Sequence, residues 1–454
     1  MYAQNYHPSC RRIGTSIVKK KRGATVIVAI FVASASTSVV SSFAAGIGLV
    51  DGMLPTVHMG IRHGMGFKIF QRQCSTSTNM GVIKTMADGS KNLWSVQDCL
   101  EQWNSLYSSN ITESSTVVGK HIQFVDATWF HKGDRNGRRE FEAGPRLPGA
   151  FHWDIADLAT TKELFPEDNP KDLKNVFPPE WLVGAALERM EVVPDIANNS
   201  ATDTNSSTTL VVYGREGTRF APRVWYMLRK YYRGGSVRLL QGSLEEWIRQ
   251  GGPVDSTKKS RSEIQAKDLF LVESDDDNGF RRLHPWISSK ARNRLVDMEF
   301  VLEFLNGKQT KTQQQRGSQM DELVFSSDND TISPTRPSVI IDTRGSSFAK
   351  KGHIPGAIHI PYASLSLPED PTTLKSKDEL IQILKNALGE TLFDRLREQP
   401  PLLSCGTGVS VCTLALVLEE LDFPEPWIYD GSWNEWGQDP TTPKAGVDND
   451  VEND

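Results

Sequence analysis

Cysteine and histidine are sparse in this 454-residue chain: five and nine, with no Cys-x-x-Cys and no His-x-x-x-His among them. That excludes the usual spacing of a structural zinc site and leaves no disulfide framework, so no metal is expected. Thiols used this way suit a reducing compartment. No carboxylate pair and no Ser-His-Asp set stands out either. Acids are nearly missing from residues 1–87, where ten Lys or Arg accompany only Asp51, so the net charge of −5 hides an acidic body behind a basic leader. An acidic body without a basic face argues against nucleic acid as a partner. The longest apolar run, Ala24–Ala45, is interrupted by Ser and Thr, so no stable membrane anchor is expected. Arg11, Arg12 and Lys19–Arg22 precede that run, and an acid-poor stretch rich in Ser and Thr follows it. Residues 1–90 therefore have the form of a targeting presequence, to a mitochondrion or a plastid, with the secretory pathway as the alternative.

The informative cysteine is Cys405, in the run Pro401-Leu-Leu-Ser-Cys-Gly-Thr-Gly-Val-Ser410. A short apolar segment ends there, two glycines follow, and a helical pattern begins. The spacing predicts a strand over Leu402–Ser404 and a helix over Ser410–Leu421, which places the sulfur at the carboxyl edge of an α/β sheet, where open parallel folds bind ligands. Gly406 and Gly408 let backbone N–H groups turn inward, and the helix start adds partial positive charge. Such surroundings hold a thiolate or a persulfide. A phosphatase loop would carry an arginine six residues after the cysteine, and Val411 stands there. Cys412, among Val411, Leu414 and Ala415, reads as core, with a resolving thiol as the other reading.

The chain also repeats itself. Leu210-Val-Val-Tyr-Gly214, a helical pattern over Ala221–Tyr231 and Gln241-Gly-Ser-Leu-Glu-Glu-Trp247 are echoed by Leu402–Cys405, the helix after Ser410 and Asp430-Gly-Ser-Trp-Asn-Glu-Trp436. Phe124-Val-Asp126 and Leu147-Pro-Gly-Ala150 return as Ile340-Ile-Asp342 and Ile354-Pro-Gly-Ala357. Short apolar runs alternate with amphipathic helices in each copy, which predicts two α/β domains, each a mostly parallel sheet flanked by helices. In the second copy the strands are expected over Val339–Asp342, Ala357–Ile360, Leu402–Ser404 and Trp427–Tyr429, with helices over Lys290–Leu305, Lys377–Leu388 and Ser410–Leu421, while the polar insertion Asn198–Thr209 and the Gln-rich Gln309–Gln319 read as loops.

These residues carry a resemblance. Val125-Asp-Ala-Thr-Trp129, Arg138-Arg-Glu-Phe-Glu142, Ala221-Pro-Arg-Val-Trp225, Gly352-His-Ile-Pro-Gly356, Cys405-Gly-Thr-Gly-Val-Ser410 and Tyr429-Asp-Gly-Ser-Trp433 resemble, in order and spacing, the motifs of the two-domain (tandem) rhodanese family of thiosulfate and 3-mercaptopyruvate sulfurtransferases. The resemblance spans about residues 93 to 440. It implies a presequence over 1–90, a catalytically silent first domain over 91–254 and a linker over 255–288. A catalytic second domain over 289–440 and a disordered tail over 441–454 complete the expected organisation. Gly214 stands where the first copy would carry a nucleophile.

The implied chemistry is a double displacement. Cys405 takes a sulfane sulfur from 3-mercaptopyruvate or thiosulfate as a persulfide and passes it to a thiol, thioredoxin-like among others, or to cyanide, with no cofactor. Gly406, Thr407, Gly408, Val409 and Ser410 are the expected cradle, and Arg344 the nearest cation for the donor. The loop resembles mercaptopyruvate enzymes, since thiosulfate enzymes carry Arg and Lys after the cysteine. Thr407 either places its hydroxyl near the sulfur or stabilises the loop.

The chain departs from the family in three places. The two arginines that hold a mercaptopyruvate carboxylate are absent after Asp342-Thr-Arg344, and Ala156 and the Asn175 region stand where the family has an aspartate and a histidine in the first domain. Lys350, Lys351, Arg215 and Arg219 are further cations, and Arg344 equally reads as an ion-pair partner at the strand end. Two other functions stay open: a persulfide carrier that depends on a protein partner, and a non-catalytic binding module.

Overall fold

The computed structural model describes residues 90–107, 120–131, 133–192, 207–259, 264–272, 284–307 and 336–446. The expected presequence up to residue 89, nearly all of the polar insertion Asn198–Thr209 and the Gln-rich stretch Gln309–Gln319 lie outside the described residues.

Two five-stranded sheets form the frame. The first contains β1 (Leu93–Ser95), β2 (Lys120–Asp126), β3 (Phe151–His152), β4 (Ser207–Gly214) and β5 (Val237–Ser243), in the order β1-β5-β4-β2-β3. The second contains β6 (Leu295–Val296), β7 (Ile340–Asp342), β8 (Ile358–His359), β9 (Leu402–Ser404) and β10 (Trp427–Tyr429), in the order β6-β10-β9-β7-β8. Every strand pair in both is parallel. Strand for strand the orders coincide, so the repeat in sequence is a repeat in space. Asp126 sits opposite Tyr213, and Asp342 opposite Ser404, so Gly214 and Cys405 leave their sheets at equivalent points.

The central strands are short continuous apolar runs because helices cover both faces of each sheet, leaving no wet face to alternate toward. Ile340, Ile341, Leu402, Leu403 and Ile428 are all buried. Helix boundaries follow local chemistry. Ser376 and Glu379 close a capping box at the start of Lys377–Leu388, and Gly389, with φ of 73°, ends it. Asp297 caps Met298–Leu305 by accepting from the Phe300 N–H.

Lys290–Leu305, read as one helical segment, is instead turns, the edge strand β6 and a helix. Leu295 and Val296 pair with β10, and Asp297 can start a helix only after that pairing ends. The described part of the 255–288 linker packs on the first copy. Asp255 exchanges backbone hydrogen bonds with Arg146, Ile264 and Ala266 are buried in the core, and Ile287 bridges Tyr232. The expected disordered tail is ordered through residue 446. Pro443 accepts from the Trp436 indole, Thr442 is buried, and Ala445 bridges His353; residues 447–454 lie outside the described residues.

The copies share a continuous core. One apolar cluster takes in Val224, Trp225 and Leu228 of the first and Val411, Leu414 and Leu418 of the second. The helix Ala221–Tyr231, which follows β4, packs against Val411–Glu420, which follows β9.

Candidate active site at the carboxyl edge of the second sheet

β9 ends at Ser404, and the chain turns through Cys405 to Ser410 before the helix Val411–Glu420 begins. Cys405 is 1% exposed. Its backbone is fixed from below: its N–H donates to the Ser432 hydroxyl (3.1 Å), and its carbonyl accepts from the Trp433 N–H (3.0 Å). Gly406 accepts from the Asn434 N–H at 2.8 Å. Among the described residues the N–H groups of Gly406, Thr407, Gly408, Val409 and Ser410 meet no acceptor. Five consecutive donors without partners, between a cysteine and a helix start, are suited to hold an anion. Gly408 has φ of 71°, and a Cβ there would stand 2.9 Å from the Asp430 carbonyl and carboxylate oxygens, so the turn needs glycine.

Side chains from the first copy complete the loop. The Asn175 amide nitrogen donates to the Thr407 hydroxyl oxygen at 3.0 Å, from 232 residues away. A hydroxyl that accepts this bond keeps its own proton free to donate elsewhere. Arg223 donates to the carbonyls of Gly408 (3.3 Å) and Asn175 (2.7 Å), and its guanidinium lies 3.1 Å from the Phe177 ring centroid. Asp430 accepts from the Phe177 N–H at 3.0 Å. Burial drives the Asp430 carboxyl above the usual aspartate range, against the opposing pull of Arg223. Ser410 is tied to Thr343 at 3.0 Å.

The structure brings Cys405 and the five loop residues into one turn. Arg344 stands apart from them: it is 4% exposed, grips both carboxylate oxygens of Asp342 and donates to the Gly352 carbonyl. Only its Nη1 lacks a partner. It reaches the loop indirectly, lying 4.3 Å from the ring of Trp433, whose backbone holds Cys405. Losing Asp342 would strand that buried cation at a cost of about 3–5 kcal/mol. Arg215 lies in the first copy's scaffold, bonded to the carbonyls of Glu140 and Pro145, and Arg219 lines a different cleft. The guanidinium hydrogen-bonded to the loop is that of Arg223, inside the Ala221-Pro-Arg-Val-Trp225 motif but not singled out from sequence. Cys412 is fully buried against the Gly408 carbonyl, and burial pushes its thiol up to about 12, as expected of a core residue. Among the described residues no three metal-ligating side chains converge.

Known proteins place this geometry. The model of the rhodanese-like domain matches residues 328–439, the second copy. Thiosulfate sulfurtransferase of Rattus norvegicus is 27% identical over 326 residues, covering 71% of this chain and 87% of its own. 3-Mercaptopyruvate sulfurtransferase of Escherichia coli is 26% identical over 320 residues, 70% of this chain and 89% of its own. Thiosulfate/3-mercaptopyruvate sulfurtransferase 2 of Arabidopsis thaliana is 27% identical over 334 residues, 73% of this chain and 84% of its own. Alignments of this length exceed either copy and so take in both. With two sheets of one strand order and relatives whose alignments span the pair, the second copy is a rhodanese-like domain and both copies share its fold.

Proposed function

We propose that the protein is a sulfurtransferase that moves a sulfane sulfur from 3-mercaptopyruvate or thiosulfate to a thiol or cyanide through a persulfide on Cys405. The observation that carries this reading is the run of five backbone N–H groups, Gly406 to Ser410, that meet no acceptor among the described residues and directly follow Cys405. The Cys405 thiolate attacks the outer sulfur of the donor. The bond between that sulfur and the rest of the donor breaks, its electron pair leaves with sulfite or pyruvate, and the sulfur stays on Cys405. An acceptor then attacks the outer persulfide sulfur and returns the thiolate. The loop amides hold the negative charge in both half-reactions without reorganising.

Glycine and threonine at positions 406 and 407, in place of a cationic pair, favour mercaptopyruvate over the thiosulfate dianion. The basic leader favours an organelle, mitochondrion or plastid, where thioredoxin-like thiols serve as acceptors. One observation supports a second reading, the partner-dependent carrier: Arg223 is occupied by carbonyls and Arg344 by Asp342, so neither offers a free fork to a donor carboxylate.

The test is incubation with 3-mercaptopyruvate or thiosulfate plus cyanide, following thiocyanate and intact mass beside a Cys405→Ser control. Thiocyanate and one added sulfur on the wild type alone establish the enzyme and rank its donors. Absence of both overturns the small-donor reading and leaves the carrier.

A further inference from the structure

The seam between the copies holds a second cleft, at the carboxyl edge of the first sheet. It is narrow: about 340 Å³ counts the open solvent at its mouth, its enclosed part has room for about one water, and no residue of the Cys405 loop lines it. The first copy contributes Gly214, Arg219 and Gln241, and the second contributes Ser366, Thr372 and Leu374.

Its position mirrors the sulfur loop. By the repeat, Gln241 in the first copy corresponds to Asp430 in the second. Asp430 accepts the N–H of Phe177 from the opposite copy, and Gln241 accepts the N–H of Leu374 from the opposite copy at 2.8 Å. That bond fixes the amide orientation: the oxygen is the acceptor, so the nitrogen is the other end. Gln241 is 5% exposed, and its nitrogen has no partner. An unmatched buried donor is costly unless something accepts from it. Arg219, on the same wall and partly buried, forms no ion pair among the described residues. Asp370, one residue before Pro371 of the cleft wall, accepts from Thr372 and Thr373.

We propose that this cleft is a binding site for a small oxyanion, a carboxylate or a sulfur oxyanion, held by the Arg219 guanidinium and the Gln241 amide nitrogen. A planar cationic fork beside a fixed neutral donor suits two oxygens of one anion. An occupant touches both copies and so tightens the seam.

Sodium pyruvate and sodium sulfate are the probes, titrated separately into the full chain with binding followed by calorimetry and by the rise in melting temperature. Arg219→Gln is expected to weaken the bound anion at least tenfold and to remove its share of the thermal rise. Gln241→Leu weakens it less, and Arg219→Lys, which keeps charge but not the fork, falls between. Response to pyruvate alone makes the site a carboxylate site, response to sulfate alone a sulfur-oxyanion site, and response to both a site for the shared chemistry. Binding in Arg219→Gln equal to wild type overturns the proposal, as does wild type that binds neither probe. Sulfur uptake on Cys405, read by intact mass in the same variants, reports the sulfur loop separately, so failure here is distinguishable from failure of the sulfurtransferase reading.

Discussion

The two copies have one sheet order and opposite uses for the turn that leaves the fourth strand in sequence. In the second copy, the N–H groups from Gly406 to Ser410 are unpartnered around Cys405. In the first, three of the five amides of the corresponding turn are used internally. Arg215 N–H donates to the Thr128 hydroxyl, Glu216 N–H to the Glu245 carboxylate and Thr218 N–H to the Arg215 carbonyl. Gly214 has no sulfur and no room for one, because a Cβ there would lie 2.3 Å from the Thr218 methyl. Under the proposed sulfur transfer, what distinguishes the second copy is therefore a set of donors withheld from the protein's own hydrogen bonding. The cysteine alone would not suffice.

The largest expected effect comes from removing that feature while keeping the sulfur. Gly408→Ala forces a side chain into a left-handed turn against Asp430, and the loop must move. A displacement near 1 Å in a reacting group costs about a hundredfold in rate. Sulfur uptake by Gly408→Ala should fall by about that factor while the melting transition stays cooperative. Uptake at the wild-type rate would show that the turn geometry does not set the chemistry.

Next comes the reciprocal exchange. Gly214→Cys gives the first copy a thiol at the equivalent point, yet it meets Thr218, and the amides of Arg215, Glu216 and Thr218 are already bonded. The expected result, in a chain that also carries Cys405→Ser, is no persulfide by mass. Overpacking should also lower stability by about 1–3 kcal/mol in urea unfolding. A persulfide on residue 214 would break the comparison, since the cysteine would then be the only difference that matters.

How far these differences were legible in the chain depends on their range. Strands β9 and β10 and the helix Lys377–Leu388 have the bounds that the apolar runs and caps predict, because each rests on neighbours within a few residues. The turn at Cys405 was legible for the same reason: cysteine, glycines and helix start are contiguous. Asn175, Arg223 and Asp430 were not, since their roles arise only when the copies dock, and Asn175 and Thr407 lie 232 residues apart. The substitution at Asn175 was visible as a departure from the family pattern, but nothing local says that its amide meets Thr407. Lys290–Leu305 was misread because β6 is two residues long and its pairing partner is β10, far along the chain.

The smallest effect concerns the pair that the pseudo-symmetry relates, Asp430 and Gln241, one titratable and one not. Burial raises the Asp430 carboxyl above its unfolded value, so the folded protein holds that proton to a higher pH than the unfolded chain does. The stability linked to this group is fully present below the usual aspartate range and is lost as pH rises through the raised value. Gln241, at the matching position, contributes no such slope. Asp430→Asn keeps an oxygen for the Phe177 N–H and removes the titration, which makes the second copy resemble the first at this point. Urea unfolding from acid to neutral pH should show the variant gaining stability relative to wild type as pH rises through that window, with the two converging at the acid end. Parallel pH profiles would mean that Arg223 and Arg292 hold the carboxylate ionised throughout, and that charge, not burial, governs the seam beside Cys405.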